Sequence, residues 1–384
     1  MKVNVGVVGR FHAFNLAEQL NKHCLLNRLV TTYPKFKAAE WGIDKNLIVS
    51  ELSLEILNRY RKKIPFLRSE LINEFVKKAH AKNCSKYLDG CDIHIGWSGS
   101  SVETIQKTKR EGKVFILERG SSHYSYQMNI LEEEHKRCGS KEFVPSYDIW
   151  QRELLEYELA DYISIPSSFV KRTFVEFGID ERKLLVNPYG VNLQEFKQIP
   201  KEDETFRIIF AGGGCLRKGY HYLLQAFYEL NLDNCEVWHL GTINEEIKPY
   251  LKKYHHKNWI LKGNQPQAEL HKYYSQGSVF VLPSLEDGFG MVLFQAMACG
   301  LPLICTTNTG GEDLISEDGC EGFVVPIRDV EALKEKILFL YNNQSLARSM
   351  GNRAKQKVID GFSWDDYGRR YIENLNKIDL TNEK

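Results

Sequence analysis

The chain has 384 residues, a formal net charge of +1 and nine cysteines. This length is sufficient for two domains that each bury a core, and the balanced charge provides no general attraction to nucleic acid or to membranes. The cysteines are odd in number and scattered without a CxxC pair, which argues against a disulfide framework or a zinc site and favours a reduced, cytoplasmic protein.

The first half of the chain alternates between strand-like and helical patterns. Strands are predicted at 2–8, 92–96, 114–117 and 162–165, with helices at 13–21 and through most of 51–88. The N-terminal run is typical of a first strand and not of a signal peptide, and no apolar run reaches the ~18 residues of a membrane span. The alternation predicts an α/β fold with a parallel sheet covered on both faces.

A charged, weakly patterned run at 194–205 is the predicted linker, and the alternation restarts after it. Strands are predicted at 207–210, 236–240, 259–261, 279–282, 303–305 and 322–325, with a helix at 330–341. A last helix is predicted to run to about residue 377, with Ser363 as its N-cap and Asp365 and Asp366 in its first turn.

The segment 279–311 carries most of the chemical information. Its order is strand, glycine-bearing loop, apolar helix and second strand, which is how a parallel sheet presents a helix N-terminus to a phosphate. Gln295 lies inside the apolar helix, where its amide needs a hydrogen-bond partner. It either caps a neighbouring loop or contacts a ligand, and Asp287 is either a solvated turn residue or part of the same site.

This segment resembles the signature of the retaining glycosyltransferases of family 4, the group 1 transferases. Asp287 stands where that family carries its first glutamate, unless Glu286 takes the role, and Gln295 stands where it carries the second. The residues that match are Pro283, Ser284, Gly288, Phe289, Gly290, Ala296, Met297, Ala298, Gly300 and Pro302. The resemblance is strong from Pro188 to Asp366 and looser before residue 150.

The resemblance implies a GT-B fold, in which two Rossmann-like domains face across a cleft and the last helix crosses back to the N-terminal domain. The expected domains are therefore 1–193 with 363–384, and 194–362. It implies retaining, metal-independent transfer of a sugar from a UDP- or GDP-linked donor to a saccharide hydroxyl. No cofactor is expected beyond this nucleotide sugar, and the setting would be surface polysaccharide, lipopolysaccharide or glycolipid assembly. A non-catalytic nucleotide-sugar-binding relative, or another GT-B enzyme such as a sugar-nucleotide epimerase, remains the alternative.

The loop 211–219 is the predicted diphosphate site. Arg217 can fork two oxygens and Lys218 adds a point charge beside a helix start, although the same pair also fits a solvated turn. The family places an Arg/Lys pair here on the pyrophosphate, and the first acid, expected at Asp287, near the sugar. The expected donor contacts also include Glu286, Gln295 on the ribose, and the loop positions Gly213, Gly214, Gly263, Asn264, Gly288, Phe289 and Gly290. Glu312 either orients a sugar hydroxyl or caps the next helix.

The N-terminal half offers fewer candidates. His123 lies near the position where relatives carry a histidine beside the transferred sugar, with a structural role as the alternative. Arg10 and His12 follow the first strand and either contact the acceptor or form a surface loop. The basic, amphipathic stretch 59–86 suits either anionic lipid at the inner membrane face, with a lipid-linked saccharide acceptor, or a solvated helix face.

Overall fold

A computed structural model describes residues 1–61, 69–140 and 146–378. Within these residues, the N-terminal strands form one parallel sheet in the order β3-β2-β1-β4-β5-β6-β7. The strands are β1 (Val3–Val7), β2 (Leu26–Thr31), β3 (Ile48–Ser50), β4 (Ile93–Trp97), β5 (Val114–Glu118), β6 (Tyr162–Ile165) and β7 (Leu184–Val186). The helices of this half are α1 (Ala13–Lys22), α2 (Lys35–Ala39), α3 (Leu52–Tyr60), α4 (Ser69–Cys84), α5 (Val102–Arg110), α6 (Tyr124–Arg137), α7 (Tyr147–Leu159) and α8 (Ser168–Glu176).

The second parallel sheet has the order β10-β9-β8-β11-β12-β13. Its strands are β8 (Phe206–Ala211), β9 (Cys235–Leu240), β10 (Trp259–Gly263), β11 (Val279–Leu282), β12 (Leu303–Thr306) and β13 (Gly322–Val325). The accompanying helices are α9 (Tyr220–Leu230), α10 (Lys248–Lys253), α11 (Leu270–Ser275), α12 (Met291–Ala298), α13 (Gly311–Leu314), α14 (Val330–Asn342), α15 (Gln344–Gly361) and α16 (Trp364–Asn376). β8, β11 and β12 are buried along their whole length, as expected for strands covered by helices on both faces.

Each sheet has a point at which the strand order reverses. In the N-terminal sheet this point lies between β1 and β4, and in the second sheet it lies between β8 and β11. Loops that leave the carboxyl ends of such neighbouring strands diverge and open a crevice, which is where open α/β sheets bind ligands. The loops after β1, β8 and β11 carry most of the predicted site residues, so the topology brings them to the ligand-binding edges.

The last helix crosses back onto the first domain. Its start is held by a capping box, in which Ser363 and Asp366 exchange hydrogen bonds between side chains and backbone. The amide of Gln19 on α1 donates to Asp365 at 2.9 Å, and a methyl group at Gly368 would approach the Gln19 side chain to 2.6 Å. Close packing of α16 on α1 therefore ties the end of the chain to its beginning, which completes a GT-B architecture.

All strands named from the sequence are present. The sequence reading did not identify β2, whose run contains Asn27 and Arg28, nor β3 and β7, which have only three residues each. The predicted helical stretch 51–88 contains α3 and α4, while residues 62–68 between them lie outside the described part. Among the described helices, none is both long and apolar enough to cross a membrane.

Candidate functional site

Two loops of the second sheet bring the predicted cations and acids together. Arg217 lies on a 3-10 turn after β8, and its Nη1 donates to the Glu286 backbone oxygen at 3.0 Å and to Glu286 Oε2 at 3.3 Å. The Lys218 ammonium group pairs with the Asp287 carboxylate. The backbone joins the same loops, because the Leu285 N–H donates to the Arg217 carbonyl at 2.9 Å.

The ion pairs keep these groups charged in spite of burial. Burial works to lower the pKa of Arg217, but the carboxylates of Glu286 and Asp287 outweigh it and raise that pKa. Burial works to raise the pKa of Asp287, but Lys218 and Arg217 outweigh it and lower that pKa. The cluster therefore holds the Arg217 guanidinium and the Asp287 carboxylate in their charged forms at the switch point of the sheet.

Glu286, predicted as a donor contact, ties the two domains together. Its side chain is completely buried. Its Oε1 accepts from the backbone N–H and hydroxyl of Ser122 at 3.0 and 2.9 Å, and its Oε2 accepts from Gln127 at 2.8 Å. Since Ser122 and Gln127 belong to the N-terminal half, Glu286 holds the second sheet's loop against the first domain, and Asp287 is the acid beside the lysine.

Three glycines make the loop arrangement possible. Gly219 has φ +61°, and a Cβ there would lie 1.8 Å from the Pro283 carbonyl oxygen. A Cβ at Gly288 would lie 2.0 Å from the carbonyl oxygen of Gly120, across the domain boundary. Gly290, at φ +79°, leads directly into α12. Phe289 points into the core and stacks on Phe294 with ring centroids 4.6 Å apart, so it supports the loop from behind.

The other predicted donor positions lie at the carboxyl ends of β8 and β10. Gly213 has no atom within 4 Å of a Cβ placed on it, while the Gly214 N–H donates to the Thr242 carbonyl at 2.8 Å. Gly263 has φ +70° and accepts from the Gly241 N–H at 2.9 Å, and Asn264 after it is exposed. These open backbone segments flank the Arg217–Lys218 turn on the side away from β11.

A cleft of about 980 Å³ between the domains collects a second set of predicted residues. Arg10 and His12 line it from the first domain, and Gln295 lines it from α12. Gln295 is half-buried and accepts from the Tyr274 hydroxyl at 3.1 Å, which satisfies its carbonyl oxygen. The Arg10 guanidinium lies 5.7 Å from the centre of the Trp41 ring. Gln295 therefore faces open space while bonded to its own domain.

His123 belongs neither to the cluster of Arg217, Lys218 and Asp287 nor to the residues that line the cleft. Its side chain is buried, its Nδ1 accepts from the Ser125 N–H at 3.3 Å to cap α6, and its ring stacks on Phe177 at 4.6 Å. Burial, followed by the charge of Arg119, lowers the pKa of His123 to about 4. This placement is that of a neutral core histidine. Glu312, in the first turn of α13, pairs with Arg172 at 2.6 Å across the domain boundary.

A separate cluster holds the domains together beside α6 and α9. Among the described residues, Glu134, Cys138 and His221 have ligand-type atoms within 4.8 Å of one another. Glu134 already accepts from His221 at 2.8 Å and from Arg328 at 2.7 Å. Burial works to raise the pKa of Glu134, but these donors and Tyr222 lower it to about 2. The donor set fits a buried interdomain ion pair, because Arg328 occupies one carboxylate oxygen.

Sequence reasoning gave no role to Glu118 or Tyr189. Glu118 ends β5 and lies 3.1 Å from the Nε2 of His12, and Tyr189 packs on the His12 ring at a centroid distance of 4.5 Å. The only signal available in the sequence was the position of Glu118 at a strand end, where parallel sheets place functional groups.

Comparison with known proteins finds a family match in the second half of the chain. Residues 192–357 match the family described as glycosyl transferases group 1. This matched segment is called the group 1 domain below. The loop with Arg217 and Lys218 and the loop with Asp287 both lie within this group 1 domain, whereas Arg10 and His12 lie outside it.

Relatives and a solved structure extend the likeness. An uncharacterised glycosyltransferase of Methanocaldococcus jannaschii is 29% identical over 54% of this chain. The match spans 56% of that protein's length. A lipopolysaccharide 1,2-N-acetylglucosaminetransferase of Salmonella typhimurium is 24% identical over 78% of this chain and 87% of its own length. The structure of Anabaena HepE in complex with UDP superposes with a TM-score of 0.70 at 14% identity, covering 98% of this chain and all of that one. This last likeness shows the shared GT-B fold over both domains.

Proposed function

We propose that the protein is a retaining, metal-independent glycosyltransferase that moves a sugar from a nucleotide diphosphate donor to a saccharide hydroxyl. The observation that carries the proposal is the meeting of Arg217, Lys218 and Asp287 at the switch point of the group 1 domain. The UDP bound by the Anabaena neighbour and the name of the Salmonella relative, a lipopolysaccharide N-acetylglucosaminetransferase, support this substrate class. No cofactor beyond the nucleotide sugar is proposed.

The two cations would stabilise the departing diphosphate. As the bond between the anomeric carbon and the phosphate oxygen opens, negative charge grows on the phosphate, and preorganised donors aimed at that charge lower the barrier. Arg217 uses one nitrogen on Glu286 and leaves about a third of its side chain exposed, so it can still donate to phosphate oxygens. These fixed cations, with the N–H groups of 288–290 at the start of α12, would take the place that a divalent metal has in other transferases.

Asp287 and Gln295 would hold the sugar and the ribose. The Lys218 pair fixes the Asp287 carboxylate at the loop mouth, where it would contact a sugar whose diphosphate lies on Arg217 and Lys218. Gln295 lines the cleft and can bond a ribose hydroxyl through its amide, without the charge that a glutamate would supply. We expect donor binding in which the diphosphate contributes more affinity than the ribose.

A lipid-linked acceptor is part of this proposal. α3 and α4 lie side by side and expose an apolar face that continues into lysines: Leu52, Ile56, Tyr60, Leu71, Phe75, Lys78 and Lys82. Such a face suits the boundary between anionic headgroups and acyl chains. Lys62, Lys63, Ile64, Phe66, Leu67 and Arg68 of the predicted basic stretch lie outside the described residues.

Vesicle co-sedimentation tests the membrane part separately. Binding is expected to vesicles of phosphatidylcholine with phosphatidylglycerol, weaker binding to phosphatidylcholine alone, and a loss on Phe75→Glu. Tyr228→Glu, which changes an exposed aromatic residue on α9 of the other domain, is the matched control and should bind as the wild type does. Absence of binding at every salt concentration would remove the membrane contact and leave the transferase proposal standing.

A panel of UDP- and GDP-sugars tests the activity itself. Released nucleotide is measured with free and lipid-linked saccharide acceptors, and each donor is also incubated alone. Acceptor-dependent release is the expected result. Turnover of donor without acceptor would indicate an epimerase or a hydrolase, and tight UDP or GDP binding by calorimetry without any turnover would indicate a non-catalytic relative.

A further inference from the structure

Another pocket lies in the N-terminal domain, between α4, α7 and the loop that follows β4. Its volume is about 290 Å³, which is at the small end of the range for ligand sites. Lys77 and Lys78 line it from α4, Gly99 lines it from the loop, and Tyr147 and Asp148 line it from the start of α7. Because Gly99 lies just past the end of β4, the pocket belongs to the carboxyl edge of the first sheet, where parallel sheets bind ligands.

Lys77 brings an unpaired positive charge to this pocket. A Cβ built on Gly99 would lie 3.0 Å from Lys77 Nζ and 3.6 Å from Glu153 Oε1, so the ammonium group lies against the loop. Lys77 is half-buried, and within the described residues its ammonium group has no hydrogen bond and no ion pair. Burial lowers its pKa, although Glu153 and Glu156 act against this. A partly desolvated cation without a partner costs free energy, so the fold alone does not explain the charge.

The charged groups nearest to Lys77 are engaged elsewhere. Glu153 accepts from Arg119 at 2.6 Å. The two oxygens of Glu156 accept from backbone N–H groups of the loop after β4 at 2.5 and 2.7 Å, and burial raises the pKa of Glu156 to about 7. Arg152, which also lines the pocket, donates to both oxygens of a glutamate on α5. The positive charge of Lys77 therefore remains available to a ligand.

The rim of the pocket combines hydroxyl-binding groups with an aromatic ring. Glu74, Asp148 and Gln151 contribute side-chain oxygens, which accept from hydroxyl groups. Tyr147 is 65% exposed and presents a ring face beside them. The two rim carboxylates disfavour a ligand that is anionic throughout, and they favour one whose anionic group is confined to the end that meets Lys77. A sugar that carries one phosphate has this distribution of groups.

We propose that this pocket binds the sugar-phosphate end of the acceptor, with the phosphate on Lys77 and sugar hydroxyls on Glu74 and Asp148. The proposal rests on the proposed function, and it concerns how the acceptor is held, not the chemistry of transfer. A lysine meets a phosphate as a point charge, and hydrogen bonds between ionised partners are about twice as strong as neutral ones.

Two kinds of acceptor supply this head group. Leu71 and Phe75 are each 57% exposed and lie within one turn of Glu74 and Lys78 on α4, so the apolar face of α3 and α4 reaches the pocket. A lipid-linked sugar phosphate would place its chain on this face and its phosphate on Lys77. A water-soluble sugar phosphate would present the same head group without the chain.

A single loop connects the pocket to the donor loops. Arg119, which pairs with Glu153 on the pocket side, donates from Nε to the Ser122 carbonyl at 3.1 Å. The backbone N–H and hydroxyl of the same serine hold Glu286 of the donor loop. An acceptor anchored at Lys77 therefore has to extend past this loop to meet the donor, so its reacting hydroxyl is remote from its phosphate.

Glucose 1-phosphate is the probe for binding. In protein labelled with carbon-13 at its lysines, the Lys77 signal, assigned by its loss in Lys77→Met, should shift as the probe is added. Inorganic phosphate should cause a smaller shift, and methyl glucoside, which lacks the phosphate, should cause none. Arg217→Ala should show the same shift as the wild type, because phosphate bound at the donor loops does not contribute to it. A Lys77 signal that neither phosphate compound moves would overturn the inference.

The stability of Lys77→Met separates a ligand site from a structural lysine. Since the ammonium group has no partner, the urea midpoint of unfolding should stay unchanged or rise. Lys82→Met, which changes an exposed lysine of α4 outside the pocket lining, is the matched control and should bind both phosphate compounds as the wild type does. A lower midpoint of Lys77→Met together with unchanged phosphate binding would show that Lys77 only supports the fold.

Tyr147→Ala tests the sugar part of the assignment. This change should weaken the binding of glucose 1-phosphate and leave that of inorganic phosphate unchanged, because it removes the ring and keeps the cation. Equal affinities of the variant and the wild type for both compounds would contradict a sugar beside Tyr147.

Acceptor kinetics test the role in transfer. With the donor and acceptor that the sugar panel identifies, Lys77→Met should raise the KM for a phosphate-bearing acceptor by about 10-fold or more, with kcat and nucleotide affinity unchanged. A rise for the lipid-linked acceptor alone assigns the phosphate to a membrane lipid, and an equal rise for a soluble sugar phosphate shows recognition without the chain. Unchanged KM values in an active transferase would overturn the inference. A Lys77 signal that responds to the probe in a protein that transfers no sugar would instead refute the proposed function.

Discussion

The two domains hold their candidate polar groups in different ways. On the group 1 side, Arg217 and Lys218 are each paired with an acid 69 residues further along the chain, on a neighbouring loop of the same sheet. In the N-terminal domain, His12 lies between the rings of Trp97 and Tyr189, and its carboxylate partner, Glu118, is 106 residues away. Ion pairs can exchange one anion for another, whereas an aromatic frame holds one orientation. The comparison indicates that the ion-paired loops can admit an anion, whereas the aromatic rings hold His12 in one orientation.

The largest change should come from removing the cations Arg217 and Lys218. Arg217→Ala removes a guanidinium that can make two charge-assisted bonds to phosphate, each worth ~1.5–3 kcal/mol. We expect the affinity of this variant for UDP or GDP to fall by about 100-fold or more. The affinity of Lys218→Ala should fall less, because that change removes only a point charge. Isothermal titration measures both. Arg182→Ala, which removes an exposed arginine paired with Asp180 far from the loops, is the control, and equal binding by all three variants would contradict the phosphate assignment.

The buried histidine of the N-terminal half should respond to pH through stability. His123 has a pKa of about 4 in the folded chain against about 6.5 unfolded, so the unfolded state gains a proton first as the pH falls. The free energy of unfolding should therefore drop by up to about 3 kcal/mol between pH 7 and pH 4 through this residue.

His123→Asn isolates this contribution, because asparagine can still cap α6. The stability gap between variant and wild type, measured by urea unfolding at several pH values, should close or reverse towards pH 4. A gap that stays constant over this range would show that His123 is protonated without cost, and would place it nearer to solvent than the structure does.

Gly219, in the turn that carries Arg217 and Lys218, should tolerate no side chain. Gly219→Ala places a Cβ 1.8 Å from a backbone oxygen at a positive φ, so we expect a loss of about 2 kcal/mol or more in unfolding free energy. Gly361→Ala, at the end of α15 with open space around its Cβ, is the matched control and should be neutral or stabilising. Equal unfolding midpoints for the two variants would contradict the described contact between Gly219 and Pro283.

The smallest expected effect concerns the ribose contact. Gln295→Glu keeps an oxygen for the Tyr274 hydroxyl and adds a charge that can accept more strongly from a ribose hydroxyl. We expect donor affinity to rise several-fold, which corresponds to about 1 kcal/mol. Comparing the nucleoside diphosphate with its 2′-deoxy form sharpens the test, since the gain should shrink without the hydroxyl. An equal gain for both forms would place Gln295 away from the ribose.

The sequence gives more access to the loops of the group 1 domain than to the contacts of the N-terminal half. A strand, a glycine turn and a helix start are adjacent in the chain, so local patterns locate these loops, and the resemblance to the group 1 transferases supplies the expected roles of Arg217 and Asp287. The pairing of His12 with Glu118 and Tyr371 depends on the strand order and on where α16 returns, neither of which local patterns contain. For the same reason, the role of Glu286 as a tie to Ser122 was missed, and His123 was assigned to the site although the structure places it in the core.

A crystal structure with a bound nucleoside diphosphate is the most direct test of the central claim. The account predicts phosphate oxygens within hydrogen-bond distance of Arg217 and Lys218 and of the N–H groups of 288–290, with the ribose towards Gln295. Phosphates bound at another edge of the molecule, with the Arg217–Glu286 and Lys218–Asp287 pairs undisturbed and shielded from the ligand, would contradict it.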